Sequence, residues 1–446
     1  DYDMKEKGAL SYNRFRLGEY NENEKQGGWE RCYRGIRNAT IFIHNIYLNQ
    51  EMSEVEIADY RGQARFVRAY YYWLLLRKYG PVPILPDEGI DYTESYDDIA
   101  TPRSTYEECA EYISKEMVLA AKELKPGRRD DALSSARPTQ GAALAARAKA
   151  LLYAASPLAN GNTDDYAKQL KDDAGRQLLS SDYNEEKWAK AAAAARDVIE
   201  LGVYELNIAY YQASGTESYP QTIVPPVDGN FSEKDWPNGW KDIDPFESYR
   251  STFNGELQAS ANKEIIFTRG NNKSEQVRAM VIHQLPRIVT GWNTHGLTQK
   301  QVDAYYMNDG ADAPGKDKEI GRGDGSDRIL GYVTQVDVDA GKYKPLKKGV
   351  SLQYANREPR FYASVAYNGS VWHLENESEV VNRQKQVFYY RQDPGGNGYA
   401  NTMFWLRTGI GVKKFVHPKD TRQNNDDNKV EPKAEPAIRY ADILLM

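Results

Sequence analysis

The chain has 446 residues, 40% hydrophobic and 27% charged, a balance that suits a folded protein with a sizeable core and argues against general disorder. Its 58 basic and 64 acidic residues leave a net charge of −6 with no basic tract. Bulk charge therefore supplies no drive to bind a polyanion, which sets nucleic acid aside as a partner. No run of about 20 apolar residues could span a bilayer, and no secretory signal opens the sequence.

Helical patterns fill the first half. Trp29 to Leu48 reads as a helix with Cys32 or Tyr33, Ile36, Thr40 and Ile43 on its buried side. Glu54 to Tyr79 follows. There Phe66, Ala69, Tyr70, Trp73 and Leu74 form one apolar stripe, Arg61, Arg65 and Arg68 lie on another face, and Gly80-Pro81 supplies the stop. Ser104 to Leu124 opens with two overlapping capping boxes, Ser104 with Glu107 and Thr105 with Glu108. From Pro138 or Thr139 an alanine-rich helix would let neighbouring backbones approach closely. Glu185 to Leu201 is the fifth helix, with Trp188, Ala192, Ala195 and Ile199 on one face. Cys32 and Cys109 fall inside helices at a spacing that suits no metal, and are read as buried thiols unless their helices lie side by side.

The pattern changes after Tyr210. Up to Gly255 the chain is punctuated by prolines, glycines and tryptophans, as functional or mobile loops are. Glu264 to Arg269, Phe361 to Tyr367 and Gln386 to Arg391 read as short strands, and Gln299 to Met307 as a helix. Asp309 to Asp327 and Asp420 to Glu435 read as polar loops. The expected fold is therefore mainly α: an irregular tetratricopeptide-like helical scaffold over 27–209, a loop-rich subregion with a few short strands over 210–437, and a late helix from 438 to 446 returning to the repeats. All three would belong to one body.

Several segments, in order, carry a family resemblance: WERCYRGIRNATIFIHN from Trp29, RGQARFVRAYYYWLLLRKYGPVPIL from Arg61, PTQGAALAARAKALLY from Pro138, LTQKQVDAYYMNDG from Leu297, NREPRFYASVAYNGSVW from Asn356 and IRYADILL from Ile438. Together they resemble the SusD/RagB family of Bacteroidetes outer-surface lipoproteins. The resemblance implies a non-enzymatic protein at the outer membrane that binds glycans and works with a SusC-like TonB-dependent transporter in nutrient uptake. It also implies a lipoprotein signal, an acylated cysteine and a first helix ahead of Asp1, with attachment to the membrane through that lipid. RagB-like members handle peptides, which keeps a peptide ligand open beside a glycan. The residues also leave room for a protein-only repeat scaffold or a glycoside hydrolase.

Catalytic patterns are weak. The five histidines form no H-E-x-x-H and no ligand pair at helical spacing, and there is neither a Walker sequence nor a G-x-S-x-G elbow. No cofactor is expected. Asp309, Asp312, Asp317 and Glu319 could hold calcium through oxygen ligands, but they lack the spacing of an EF-hand and read better as a solvated acidic loop.

Sugar binding asks for flat aromatic faces beside directed polar groups. Tyrosine is enriched, 33 against 11 Phe, although most of these rings suit helix packing. Trp292 with Asn293, in TGWNTHG, has no apolar periodicity to bury it. Trp236 and Trp240 lie in the Pro/Gly-rich loop, either to meet ligand or to fold against their own segment. Trp29 follows two glycines and reads better as a hydrophobic staple than as a binding residue. Asp3 and Arg16 enter through the resemblance alone, because the family draws binding residues from the region before the WERCYRGIRN helix.

Overall fold

The computed structural model describes residues 28–91, 93–128, 136–211, 226–268, 275–316, 328–399 and 404–446. They divide into two compact units. The helical unit falls within Ala9–Leu206, Lys263–Arg269 and Pro436–Met446; the loop-rich unit within Asn207–Asn262 and Gly270–Glu435.

The helical unit is built on α1 (Trp29–Asn45), α2 (Glu54–Tyr79), α3 (Tyr106–Glu123), α4 (Gln140–Ala155) and α5 (Glu186–Glu200). Each packs on the next in chain order, the serial arrangement of helical repeats. Local chemistry sets the ends. Ser53 and Glu56 close a reciprocal capping box on α2, and of the two overlapping boxes ahead of α3 the one used is Thr105 with Glu108. Gly80, at φ 72°, stops α2 as expected. The alanines of α4 are almost all buried, and Gly35 of α1 lies so close to α2 that a Cβ there would come 2.5 Å from the Tyr71 ring.

Two helix faces differ from the expected ones. On α2 the fully buried rings are Phe66, Tyr72 and Trp73, while Tyr70 is half-buried. The arginine face turns to α3, where Arg68 is buried and meets Glu116 at 2.5 Å, and Arg61 and Arg65 reach Glu123 at 3.1 and 3.4 Å. On α5 the buried residues are Lys187, Ala191, Ala194, Ala195 and Val198, so Trp188 and Ile199 are exposed. In an alanine-rich helix several stripes fit the same spacing. Close backbone approach selected the one with the small residues. Cys32 and Cys109 are free and buried in the same core, and burial pushes the Cys109 thiol up to about 11.

A two-stranded antiparallel ladder, Ile265–Thr268 with Pro436–Arg439, completes this unit. The first strand lies in the stretch expected to be loop-rich. The late helix is shorter than expected, Tyr440–Leu444, since Ile438 and Arg439 pair as strand. Among the described residues no helix is long and apolar enough to cross a membrane.

The loop-rich unit holds two apolar clusters, one around Phe361, Tyr354 and Tyr367, the other around Leu285, Trp372 and Leu406. Phe361–Tyr367 is not a strand: Pro359–Ser364 is a helix and only Val365–Ala366 is extended, pairing with Gly411–Val412. Pro359 at the first helical position favours this start. The second ladder joins Ser370–His373 to Gln384–Val387. The helix expected to reach Met307 ends at Asp303, where the buried Arg357 takes the carbonyls of Val302 and Tyr305, each at 2.6 Å.

Candidate functional site

Two groups of accessible aromatic rings stand on the loop-rich unit. The first is the segment 226–244. Its backbone folds on itself: Trp240 N–H donates to Phe231 O at 3.1 Å, Lys241 N–H to Lys234 O at 3.0 Å, and Tyr211 N–H ties the loop base to Asp242 O at 2.8 Å. Gly239 sits where a Cβ would overlap the Phe231 carbonyl, so only glycine allows this crossing. Phe231 and Trp240 stack with centroids 5.6 Å apart. Trp236 is 45% exposed and Phe231 47%. Thus Trp240 leans on its own segment, while Trp236, before a cis Pro237, turns its ring to solvent.

The second group surrounds Trp292. After the helix Glu275–Gln284 the chain makes a tight return in which Trp292 N–H donates to Ile282 O at 2.8 Å and Asn293 N–H to Leu285 O at 3.1 Å. Trp292 is half-buried: His283 meets it edge-on, and Phe404 stacks on it at 5.7 Å with planes 10° apart. His283 and His295 stack 4.9 Å apart, and burial lowers both imidazoles to about 4, so they are neutral at pH 7.

Asn293 does not reach solvent. It is 1% exposed, and its amide donates to Asn397 O at 3.1 Å. The expected ligand contact is instead an internal tie, because the backbone turn at φ 51° points this side chain inward. Asn397 also accepts from Arg287 N–H at 3.0 Å, which pins the segment 393–399 beside Trp292. That segment brings Tyr399 against Trp405, centroids 4.8 Å apart. Four guanidinium groups lie over these rings: Arg287 over Phe404 at 5.4 Å, Arg422 over Trp292 at 5.2 Å, Arg391 over Tyr399 at 5.6 Å and Arg407 over Trp405 at 4.0 Å.

Sequence reasoning singled out Trp292 but not Phe404, Trp405 or Tyr399. The string FWLR offered one signal, a pair of adjacent aromatics followed by arginine in a glycine-rich stretch, which resembles a core strand as readily as a platform. Among the described residues no ring contact joins the Trp292 group to the Trp236 loop. Trp29 belongs to the helical unit, where it is the first residue of α1 after the Gly28 cap and packs on Tyr33 and Tyr79 at 5.0 and 5.4 Å, so it is not the staple residue ahead of the cap. Asp3 and Arg16 lie outside the described residues, as do Asp317 and Glu319. Of the acidic loop, Asp312 is paired with Lys316 and Asp309 accepts from Ala311 N–H at 3.0 Å. Among the described residues no group of three or more His, Cys, Asp or Glu is placed to hold a metal.

A family model described as the SusD family matches residues 263–446, and a second, described as starch-binding and associating with the outer membrane, matches residues 5–152. Among solved structures, BT4246 superposes with a TM-score of 0.69 at 22% identity, covering 94% of this chain and 67% of that one. A SusD-like protein from Bacteroides fragilis gives 0.63 at 22% identity, over 99% of this chain and 67% of the other. A SusD-like carbohydrate-binding protein from the same organism gives 0.57 at 17% identity, over 94% and 59%. At such identities the likeness is one of fold. No curated protein matches in sequence. With family models on both halves, and a mainly helical fold shared with SusD-like structures along nearly its whole length, the chain belongs to the SusD/RagB family.

Proposed function

We propose that the protein is a non-catalytic glycan-binding component of the outer membrane, lipid-anchored and exposed at the surface, which delivers oligosaccharides to a SusC-like TonB-dependent transporter. The observation that carries the reading is that Trp236, Phe231 and Tyr399 are accessible rings on loops braced by their own backbone hydrogen bonds, in a chain of this family. Pyranose rings present apolar C–H faces, and flat indole and phenol rings held by their own loops meet them with little loss of side-chain freedom. Trp236 and Tyr399 are the ligand-facing rings in this reading. Trp240 stacks on Phe231 and Trp292 on Phe404 within the same loops, and Asn293 holds the Trp292 segment in place.

Affinity electrophoresis against a panel of polysaccharides tests it. Retardation by at least one glycan is expected, with Trp236→Ala or Tyr399→Ala costing about 1–3 kcal/mol, by analogy with stacking on other flat ligands. Absence of binding to any glycan, with capture of peptides instead, would overturn it. New reducing ends after incubation would replace the binding module with a hydrolase.

A further inference from the structure

Between α3 and α5, over α4, the helical unit carries a slot of about 390 Å³, within the size range of small-molecule sites. Its apolar lining is Ala110 of α3, Leu151 and Ala154 of α4 and Ala193 of α5. Three of these four present a single methyl group where a longer side chain would fill the space. Both ends are bridged. At one, Lys187 of α5 meets Glu107 of α3 at 3.0 Å; at the other, Arg147 of α4 holds Asp197 of α5 at 2.6 Å and Ser114 of α3 at 3.2 Å. Between residues 107 and 114 a helix rises about 10 Å, which sets the length of the opening. A helix or extended chain running through the slot would have to displace these bridges. It therefore suits a compact body entering from above.

Glu111 and Lys115 of α3 and Lys190 of α5 also line the slot; all three are exposed, and none makes a hydrogen bond or ion pair among the described residues. With the bridging pairs balanced, these three leave one positive charge at the mouth. That complements a single carboxylate, and Glu111 counts against a dianion. Ion pairs open to water are weak, whereas each methylene taken out of water adds substantially to binding. The lining would thus carry the affinity, and the lysines would choose the head group.

We infer that the slot between α3 and α5 is a binding site for monocarboxylates with an apolar body about 10 Å long, the class of medium-chain fatty acids. The site lies within the helical unit and is independent of the glycan-binding reading.

Ligand-observed NMR titrations of the full chain with butanoate, hexanoate, octanoate, dodecanoate and octanamide test it. Affinity should rise about fourfold per methylene as far as octanoate and level off by dodecanoate, once the slot is full. Octanoate should bind about threefold more tightly than octanamide, and the double variant Lys115→Gln with Lys190→Gln should remove that preference while leaving octanamide unaffected. Ala193→Trp, at an exposed position on the wall, should abolish binding of both with the far-UV circular dichroism unchanged, while Arg196→Ala, whose partner is Glu200, should change nothing. No saturable binding of octanoate would overturn the inference. So would affinity that keeps climbing to dodecanoate, octanamide bound as well as octanoate, or octanoate binding untouched by Ala193→Trp. If that variant loses its helical signal, the lysine variant decides, and an acid preference that survives it overturns the inference.

Discussion

In the helical unit buried charges meet each other: Arg68 and Glu116 pair at 2.5 Å, both nearly inaccessible, and Arg65 and Arg61 extend the row to Glu123. In the loop-rich unit buried charges pair too, Lys433 with Asp420 and Arg250 with Glu247 and Glu256, but they also serve the backbone. Arg357 donates to two carbonyls, and Asp420 accepts the N–H of His417 and of Glu431, each at 2.7 Å, beside its partner Lys433. The difference follows from how each unit satisfies its main chain. A helix pairs its own N–H and C=O groups, so only side chains are left to pair across helices. Irregular loops leave backbone groups unpaired, and buried side chains must serve them.

Four measurements put this contrast at risk. The largest effect should come from Glu116→Ala, which takes the close partner from Arg68 and leaves it the longer contact to Asp87 at 3.3 Å; about 3 kcal/mol of stability should be lost, read as a lower urea midpoint. A loss below about 1 kcal/mol would mean the pair is dispensable. Next is acidity. Four of the five histidines lie in the loop-rich unit and burial holds them neutral: His283, His295 and His417 are lowered to about 4 and His373 to about 3. The unfolded chain takes up these protons below about pH 6.5 while the folded one does not, so stability is full above that pH and drains away as pH falls towards 4. Hydrogen exchange at pH 7 and pH 5, corrected for the intrinsic rate, should therefore loosen 275–295 before α1–α4. The reverse order would refute the contrast.

A smaller loss, about 1–3 kcal/mol, is expected for Arg357→Met, which keeps the apolar stem but takes the donor from the Tyr305 carbonyl and leaves that of Val302 only the Tyr305 N–H at 3.4 Å. Faster exchange around 299–307 would localise it. Smallest is Thr105→Ala, about 1 kcal/mol from the α3 cap, visible as a modest fall in melting temperature. An unchanged melting temperature would show that packing on α2 and α4 overrides the cap.

Helix existence was legible because its causes are local. The stop at Gly80-Pro81 and the apolar spacing ahead of it place α2 without reference to anything distant, and the Ser53–Glu56 box that starts it at Glu54 is just as local, although the structure had to point it out. Helix orientation was less so, since Trp188 and Ile199 look like a core stripe until the alanines of α5 are seen to pack instead. Aromatic runs misled in the other direction: the alternation at Phe361 suggested a strand, where Pro359 and burial on all sides gave a helix. At the candidate site Trp292 could be read as a loop indole. Nothing around it announced that Asn293 would turn inward or that Phe404, more than a hundred residues later, would cover its ring.

The order of residues was enough to set the mainly helical class, the boundaries of the long helices and the family, because propensity, capping and periodicity act within a few turns of chain. Which rings face solvent, and where charge accumulates, was left to the packing of distant segments. A net charge of −6 is a sum over the whole molecule, whereas a ligand responds to the few groups within a Debye length, and Arg287 and Arg422 come near each other beside Trp292 only when loops far apart in sequence are pinned together.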